Sequence, residues 1–241
     1  NYKFFAGLVA FFVVYFYILT PNVFSEVQYS DKTYYVSSNG TGDGLSIHSS
    51  ASIYQIALLV RPGDTVNLLG GIYDWPEPVV LSVSGTEQHP ITWQNYDEQP
   101  VVFDGIKRQV NTDDPYSEKC VIQLEHCDWQ VLRGFTVRNS PGHGIGDFGY
   151  SSDHNVYERI VAEDNYGNGI IVRGDYNTLI DCIARYNYDY AGDPSTKSKP
   201  GNNADGISPD GKHNRLVRCI SHHNSDDGYD CWFGEHGMFV N

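Results

Sequence analysis

Two short acidic stretches set the chemical question in this 241-residue chain: Asn202-Asn-Ala-Asp-Gly206, which carries Asp205, and Ser225-Asp-Asp-Gly-Tyr-Asp230, which carries Asp226, Asp227 and Asp230. Carboxylates gathered this densely repel one another, so they require a cation, shifted pKa values or splayed side chains. Oxygen ligands with no interleaved cysteine or histidine select a hard ion, and Ca²⁺ accommodates irregular loops better than Mg²⁺. The spacing is not that of an EF-hand, because Asp226-Asp-Gly-Tyr-Asp230 lacks the alternating ligands and the closing Glu. A cation here has to be held by separate turns brought side by side. The alternative is a set of solvated acids in turns, where Asp and Gly are common.

Other side chains near these acids invite chemistry less strongly. His222 and His223 are adjacent, so in a strand they point to opposite faces and cannot share a metal without a bend. They read as surface polarity or a turn hydrogen bond rather than as zinc ligands. Tyr229, Trp232 and Phe233 could offer faces to sugar rings or pack into the core. Lys197, Lys199 and Lys212 read as solvated charges. Asn39-Gly-Thr41 matches a glycosylation acceptor, a short pattern that also arises by chance.

The elements that must position the acids show themselves as a repeat. Trp129 to Asn139 lines up with Asn155 to Asn165, Asn177 to Asn187 and Asn214 to Asn224, and the closing asparagines are 26, 22 and 37 residues apart. The last interval contains an insertion, Asp189 to Asp205. Several short β-prone runs per unit of this length fit a parallel β-helix better than helical repeats, which need longer 3.6-periodic segments. Equivalent positions of a solenoid stack, so Asn139, Asn165, Asn187 and Asn224 are expected to form an amide ladder in a turn. Ile160, Cys182 and Cys219 share one register and are expected in the core. The two cysteines read first as stacked apolar side chains and second as a disulfide.

Toward the amino terminus, Thr33-Tyr-Tyr-Val36 is β-prone, and Ser52 to Val60 places Ile53, Ile56, Ala57 and Val60 on one helical face behind a Ser52 cap. Such a helix could cover the open end of a solenoid. Strand and turn then alternate through Thr65 to Leu69, Val79 to Leu81, Ile91 to Trp93 and Val101 to Phe103.

An excess of 30 acidic over 16 basic residues argues against a nucleic-acid partner, whose phosphates need Lys and Arg. An acidic glycan would be repelled too unless a bound cation intervened. Residues 1–25 combine Lys3, an apolar run to Leu19 and Val23-Phe-Ser25, and read as a secretory signal, with an uncleaved membrane anchor as the alternative. Residues 26–241 then form one domain, expected to be secreted and monomeric, and membrane-associated only if the leader is retained. The start at Asn1 and the end at Asn241 read as those of a fragment. The five cysteines include no C-x-x-C pair and are too scattered for a disulfide framework.

The stretch Asn202-Asn-Ala-Asp-Gly-Ile207, then Gly211 to Asn214, then Cys219-Ile-Ser-His-His-Asn-Ser-Asp-Asp-Gly-Tyr-Asp-Cys-Trp232 resembles the calcium-site region of the family 9 polysaccharide lyases. Tyr34-Tyr-Val-Ser, Pro62-Gly-Asp-Thr-Val66 and Gly70-Gly-Ile-Tyr73 are similar to the opening coils of many β-helix carbohydrate enzymes. The resemblance implies an all-β, right-handed parallel β-helix with a short N-terminal capping helix, and Asp205, Asp226, Asp227 and Asp230 as Ca²⁺ ligands. It also implies an acidic polysaccharide substrate, polygalacturonate or rhamnogalacturonan, cleaved by β-elimination. The family's base is a lysine presented by later coils. No lysine follows Lys212 here, so the catalytic base is left unassigned. A non-catalytic carbohydrate-binding β-helix, an epimerase, an alginate lyase and a glycoside hydrolase with paired carboxylates remain open as alternatives.

Overall fold

Strands of two to five residues leave backbone donors and acceptors open along both edges, and in a solenoid the neighbouring coils satisfy them. The computed structural model describes residues 29–108, 119–191, 199–232, 234 and 236–240. The expected leader over residues 1–25 lies outside them. Three parallel sheets run the length of the molecule. The first stacks Thr33–Val36, Thr65–Leu68, Ile91–Asn95, Gln130–Arg133, Val156–Glu158, Thr178–Ile180, Arg215–Val217 and Met238–Val240. The second stacks Gly71–Tyr73, Val101–Asp104, Thr136–Arg138, Val161–Glu163, Ile183–Arg185 and Ile220–His222. The third stacks Val79–Leu81, Ile122–Leu124, Ile145–Gly146, Ile170–Val172 and Ile207–Pro209, and a bridge from Ile207 to Tyr229 carries it one coil further.

Strands of the first two sheets alternate buried and exposed side chains, as half-buried strands do. Leu132, Tyr157, Leu179 and Leu216 stack into the interior from the first sheet, and Phe103, Val137, Ala162 and Ala184 from the second. The third sheet departs from this pattern. Ile170, Ile171 and Val172 are all buried, as are Ile207, Ser208 and Pro209. The outer face of this sheet is where the acidic residues gather.

The predicted helix is present as α1, Ile53–Ala57, with the Ser52 hydroxyl accepting from the Gln55 N–H at 3.2 Å. Ile53, Ile56 and Ala57 are buried, and α1 packs on the first strands of the first and third sheets. Ile160, Cys182 and Cys219 share their register in the core, and all five cysteines are free thiols.

An asparagine ladder exists, with one rung different from expectation. The Oδ1 of Asn165 accepts from Ser140 N, that of Asn187 from Asn165 N, and that of Asn224 from Asn187 N. The amides also join directly, Asn165 to Asn187 and Asn187 to Asn224, each at 2.9 Å. Ser140, not Asn139, occupies the first rung, and the interval to Asn165 is 25 residues. Asn139 instead shares the left-handed turn position of Asp164, Tyr186 and His223, all at φ between 53° and 58°. Its amide donates to Asp104 Oδ1. Asparagine is among the few residues that tolerate this conformation, which is why it stands beside the ladder as well as in it. A second ladder, not expected from the sequence, runs through Gln130, Asn155, Asn177 and Asn214, each backbone N–H donating to the side chain of the next coil.

Candidate metal centre and cleft

The acids are placed by a column of glycines at the entry to the third sheet. Gly144 donates its N–H to Asn168 O, Gly169 to Asp205 O and Gly206 to Asp227 O, which puts His143, Asn168, Asp205 and Asp227 at one position of successive coils. The glycines are needed because the asparagine ladder presses against them. A Cβ at Gly206 would lie 1.8 Å from Ser221 Oγ and 2.5 Å from Asn224 Nδ2, and one at Gly169 would lie 2.7 Å from Asn187 Nδ2. Holding the coils together and presenting the acids are therefore one piece of structure.

Asp205 is 6% exposed. Its Oδ1 accepts from Asp227 N at 3.2 Å, and its Oδ2 from Asn168 Nδ2 at 3.1 Å and Ser208 Oγ at 3.2 Å. Burial, then the charges of Asp230 and Asp226, push its carboxyl up to about 7 against these hydrogen bonds. Burial and neighbouring carboxylates also raise Asp226 and Asp230. Asp205, Asp226 and Asp227 each bring a carboxylate oxygen within 4.8 Å of the others, the one such convergence of three or more potential ligand side chains among the described residues. Asp230 lies outside that trio but lines the same cleft. A carboxylate raised by burial and then by its acidic neighbours, in an oxygen-only donor set open on one side, fits a hard divalent cation.

Asp189, noted in the sequence only as the edge of the insertion, ties the two acidic turns together. It is fully buried, accepting from Ser225 Oγ at 3.1 Å and from Asn202 N and Asn203 Nδ2 at 3.3 Å each. The cleft beside the trio has a volume of about 210 Å³ and is lined also by His143, Asn168, Arg173, Ser208, Asp210 and Trp232. His143 is buried, its Nδ1 accepts from Asn168 N at 3.0 Å, and burial with the Arg173 charge holds its pKa down at about 3. Asn168 and Ser208 escaped the sequence reading, although a signal existed: His143-Gly144-Ile145, Asn168-Gly169-Ile170 and Asp205-Gly206-Ile207 repeat one pattern in successive coils.

The remaining expectations separate cleanly. Trp232 is 77% exposed over the cleft. Tyr229 is turned inward, its hydroxyl donating to Cys219 O, and packs on the core. The chain does bend at His223, whose φ is 58°, so the His222 and His223 rings converge with Nδ1 atoms 2.7 Å apart instead of facing opposite ways. Neither joins a group of three ligands among the described residues. Lys199 and Lys212 are not among the cleft's lining residues. Lys197 and Phe233 lie outside the described residues.

Three sheets of stacked parallel strands and a carboxylate-lined cleft on the third define a parallel β-helix. The family model described as "Pel9A-like, right handed beta helix region" matches residues 34–241, and the chain belongs to that family. It is 25% identical over 148 residues to the pectate lyase PEL9 of Emericella nidulans, an alignment covering 58% of this chain and 35% of that protein. The crystal structure of pectate lyase Pel9A superposes with a TM-score of 0.71 at 27% identity, over 86% of this chain and 51% of that one. A rhamnogalacturonan lyase shares the fold with a TM-score of 0.58 at 17% identity, over 87% of this chain and 62% of that one. The chain thus spans about a third of the curated relative and about half of Pel9A.

Proposed function

We propose that this chain is the cation-holding and substrate-binding part of a Ca²⁺-dependent polysaccharide lyase that cleaves pectate, or a related uronate-containing polysaccharide, by β-elimination. The observation that supports the reading is the convergence of Asp205, Asp226 and Asp227 within 4.8 Å, with Asp230 lining the same cleft, and all four are proposed as Ca²⁺ ligands. Bound Ca²⁺ would neutralise a substrate carboxylate and so ease removal of the proton on the adjacent C5 carbon. Asn168, Ser208 and the Asp227 N–H hold the Asp205 carboxylate in one orientation, and Asp189 fixes the turn that carries Asp226. Trp232 offers an exposed ring face to a sugar. No residue of this chain is assigned as the base. Residues 26–241 act as one β-helix domain of a secreted monomer whose leader is 1–25.

The test is incubation of the full-length protein with polygalacturonate, with Ca²⁺ or with a chelator, following the ultraviolet absorbance of the unsaturated product. Growth of absorbance that requires Ca²⁺ is expected. New reducing ends without absorbance would mean hydrolysis, and retention on the polymer without turnover would mean a binding module.

A further inference from the structure

The cleft that carries the acids also carries one fixed positive charge, and its surroundings prepare it for an anion. Of the basic side chains lining the cleft, His143 is held neutral by burial, which leaves the Arg173 guanidinium as the only cation on its wall among the described residues. Arg173 follows Val172 on the third sheet, one coil before Asp205 and two before Asp226. Coils of a β-solenoid rise by about 4.8 Å, so Arg173 sits about 5 to 10 Å along the axis from the acidic turns.

Its placement is built from both ends. The backbone N–H of Arg173 donates to Asp147 Oδ1 at 2.6 Å, and the next residue, Gly174, donates to Asp147 Oδ2 at 2.8 Å. The guanidinium lies over the Phe148 ring, 4.6 Å from its centroid. It forms a loose ion pair with the nearly buried Asp210 of the same cleft, Nε to Oδ2 at 3.9 Å, too long for a hydrogen bond. Among the described residues the guanidinium makes no hydrogen bond at all, so a stacked, half-exposed fork of donors faces the cleft. Such a fork matches a carboxylate bidentately.

We propose that Arg173 forms a second anion subsite, which takes the carboxylate of a uronate neighbouring the one at the acidic cluster. Resting on the lyase reading above, this makes the cleft selective for runs of consecutive unesterified uronates over backbones in which uronates alternate with neutral sugars. Arg173 acts in binding, and the chemistry at the cluster does not pass through it.

The experiment compares the full-length protein with its Arg173→Gln and Arg173→Lys variants, reading KM and kcat on polygalacturonate and the Kd for Ca²⁺ alone. A guanidinium–carboxylate pair lost to Gln is expected to raise KM about tenfold. Under the same comparison kcat stays within about twofold and the Ca²⁺ Kd does not move, while Arg173→Lys, which keeps charge without the fork, falls between. A Gln variant whose KM stays within about twofold of the parent, or whose KM rises in step with a loss of Ca²⁺ affinity, overturns the subsite and leaves the lyase reading standing. A parent protein that neither binds nor cleaves polygalacturonate with Ca²⁺ present overturns both.

Discussion

Replacing Asp205 with Asn is expected to stabilise the cation-free protein while removing its response to Ca²⁺. The folded carboxyl is raised to about 7 from an ordinary 3.8, chiefly by burial and then by Asp230 and Asp226. Between these values the native state holds a proton that the unfolded state has released, so stability falls as pH rises through that window. The cost is fully present above about pH 7 and absent below about pH 4. Taken whole, the gap corresponds to about 4 kcal/mol. Asparagine escapes it but loses the acceptor that faces Asn168 Nδ2 and Ser208 Oγ, at about 1 kcal/mol for each bond. A net gain of about 2 kcal/mol remains at pH 8 in chelator. Urea denaturation of parent and variant at pH 4 and pH 8, each with EDTA and with Ca²⁺, measures all the terms. The parent gains about 2.7 kcal/mol when Ca²⁺ stands a hundredfold above its Kd, and the variant gains little. The reasoning fails if the variant is less stable than the parent at pH 8 in EDTA, or if their difference is the same at both pH values.

Asn187→Ala strands the Asn165 N–H and amide in a buried ladder, while Asn224 Oδ1 keeps the backbone N–H of residue 187, and is expected to cost about 3 kcal/mol, read as a lower urea midpoint at unchanged slope. Asn139→Ala, beside the ladder and only part-buried, is expected to cost about 2 kcal/mol, chiefly from holding alanine at φ 53°, since Asp104 keeps Arg138 and the Ile106 N–H when the amide is lost. A thiol reagent should meet Cys231 at once, and Cys120, Cys127, Cys182 and Cys219 only on unfolding, because four of the five thiols are buried. Rapid reaction of a second thiol in the native protein would contradict the core assignment.

The sequence disclosed most where one residue type had to recur in every coil. Asn165, Asn187 and Asn224 are legible because each satisfies the backbone of the coil before it, so the residue cannot drift. The register slipped by one at Asn139 because two neighbouring positions both favour Asn, one for its amide and one for its tolerance of positive φ. The second ladder was harder to see, since its first rung is Gln130. Asp205, Asp226 and Asp227 could be read as a group from local density, whereas Asn168, Ser208 and Arg173 could not. Asn168 lies 37 residues before Asp205, and only the stacked register brings the two together, while Ser208 is three residues from Asp205 and is turned toward it by the strand between them.

That register also explains why a solenoid suits this site. The asparagine ladder needs glycine where Asn187 and Asn224 press on Gly169 and Gly206, and each glycine leaves the residue before it, Asn168 or Asp205, at the mouth of the third sheet. Side chains at this position are spaced by the coil rise of about 4.8 Å, close enough for carboxylates of adjacent coils to share one cation and too close for them to remain ionised without cost. Burial first, and then the charges of Asp230 and Asp226, raise the Asp205 carboxyl. The same stacking sets Arg173 about 5 to 10 Å along the axis from the acids, so under the proposed function the spacing that would hold a cation would also fix where a second carboxylate on a chain of uronates is met.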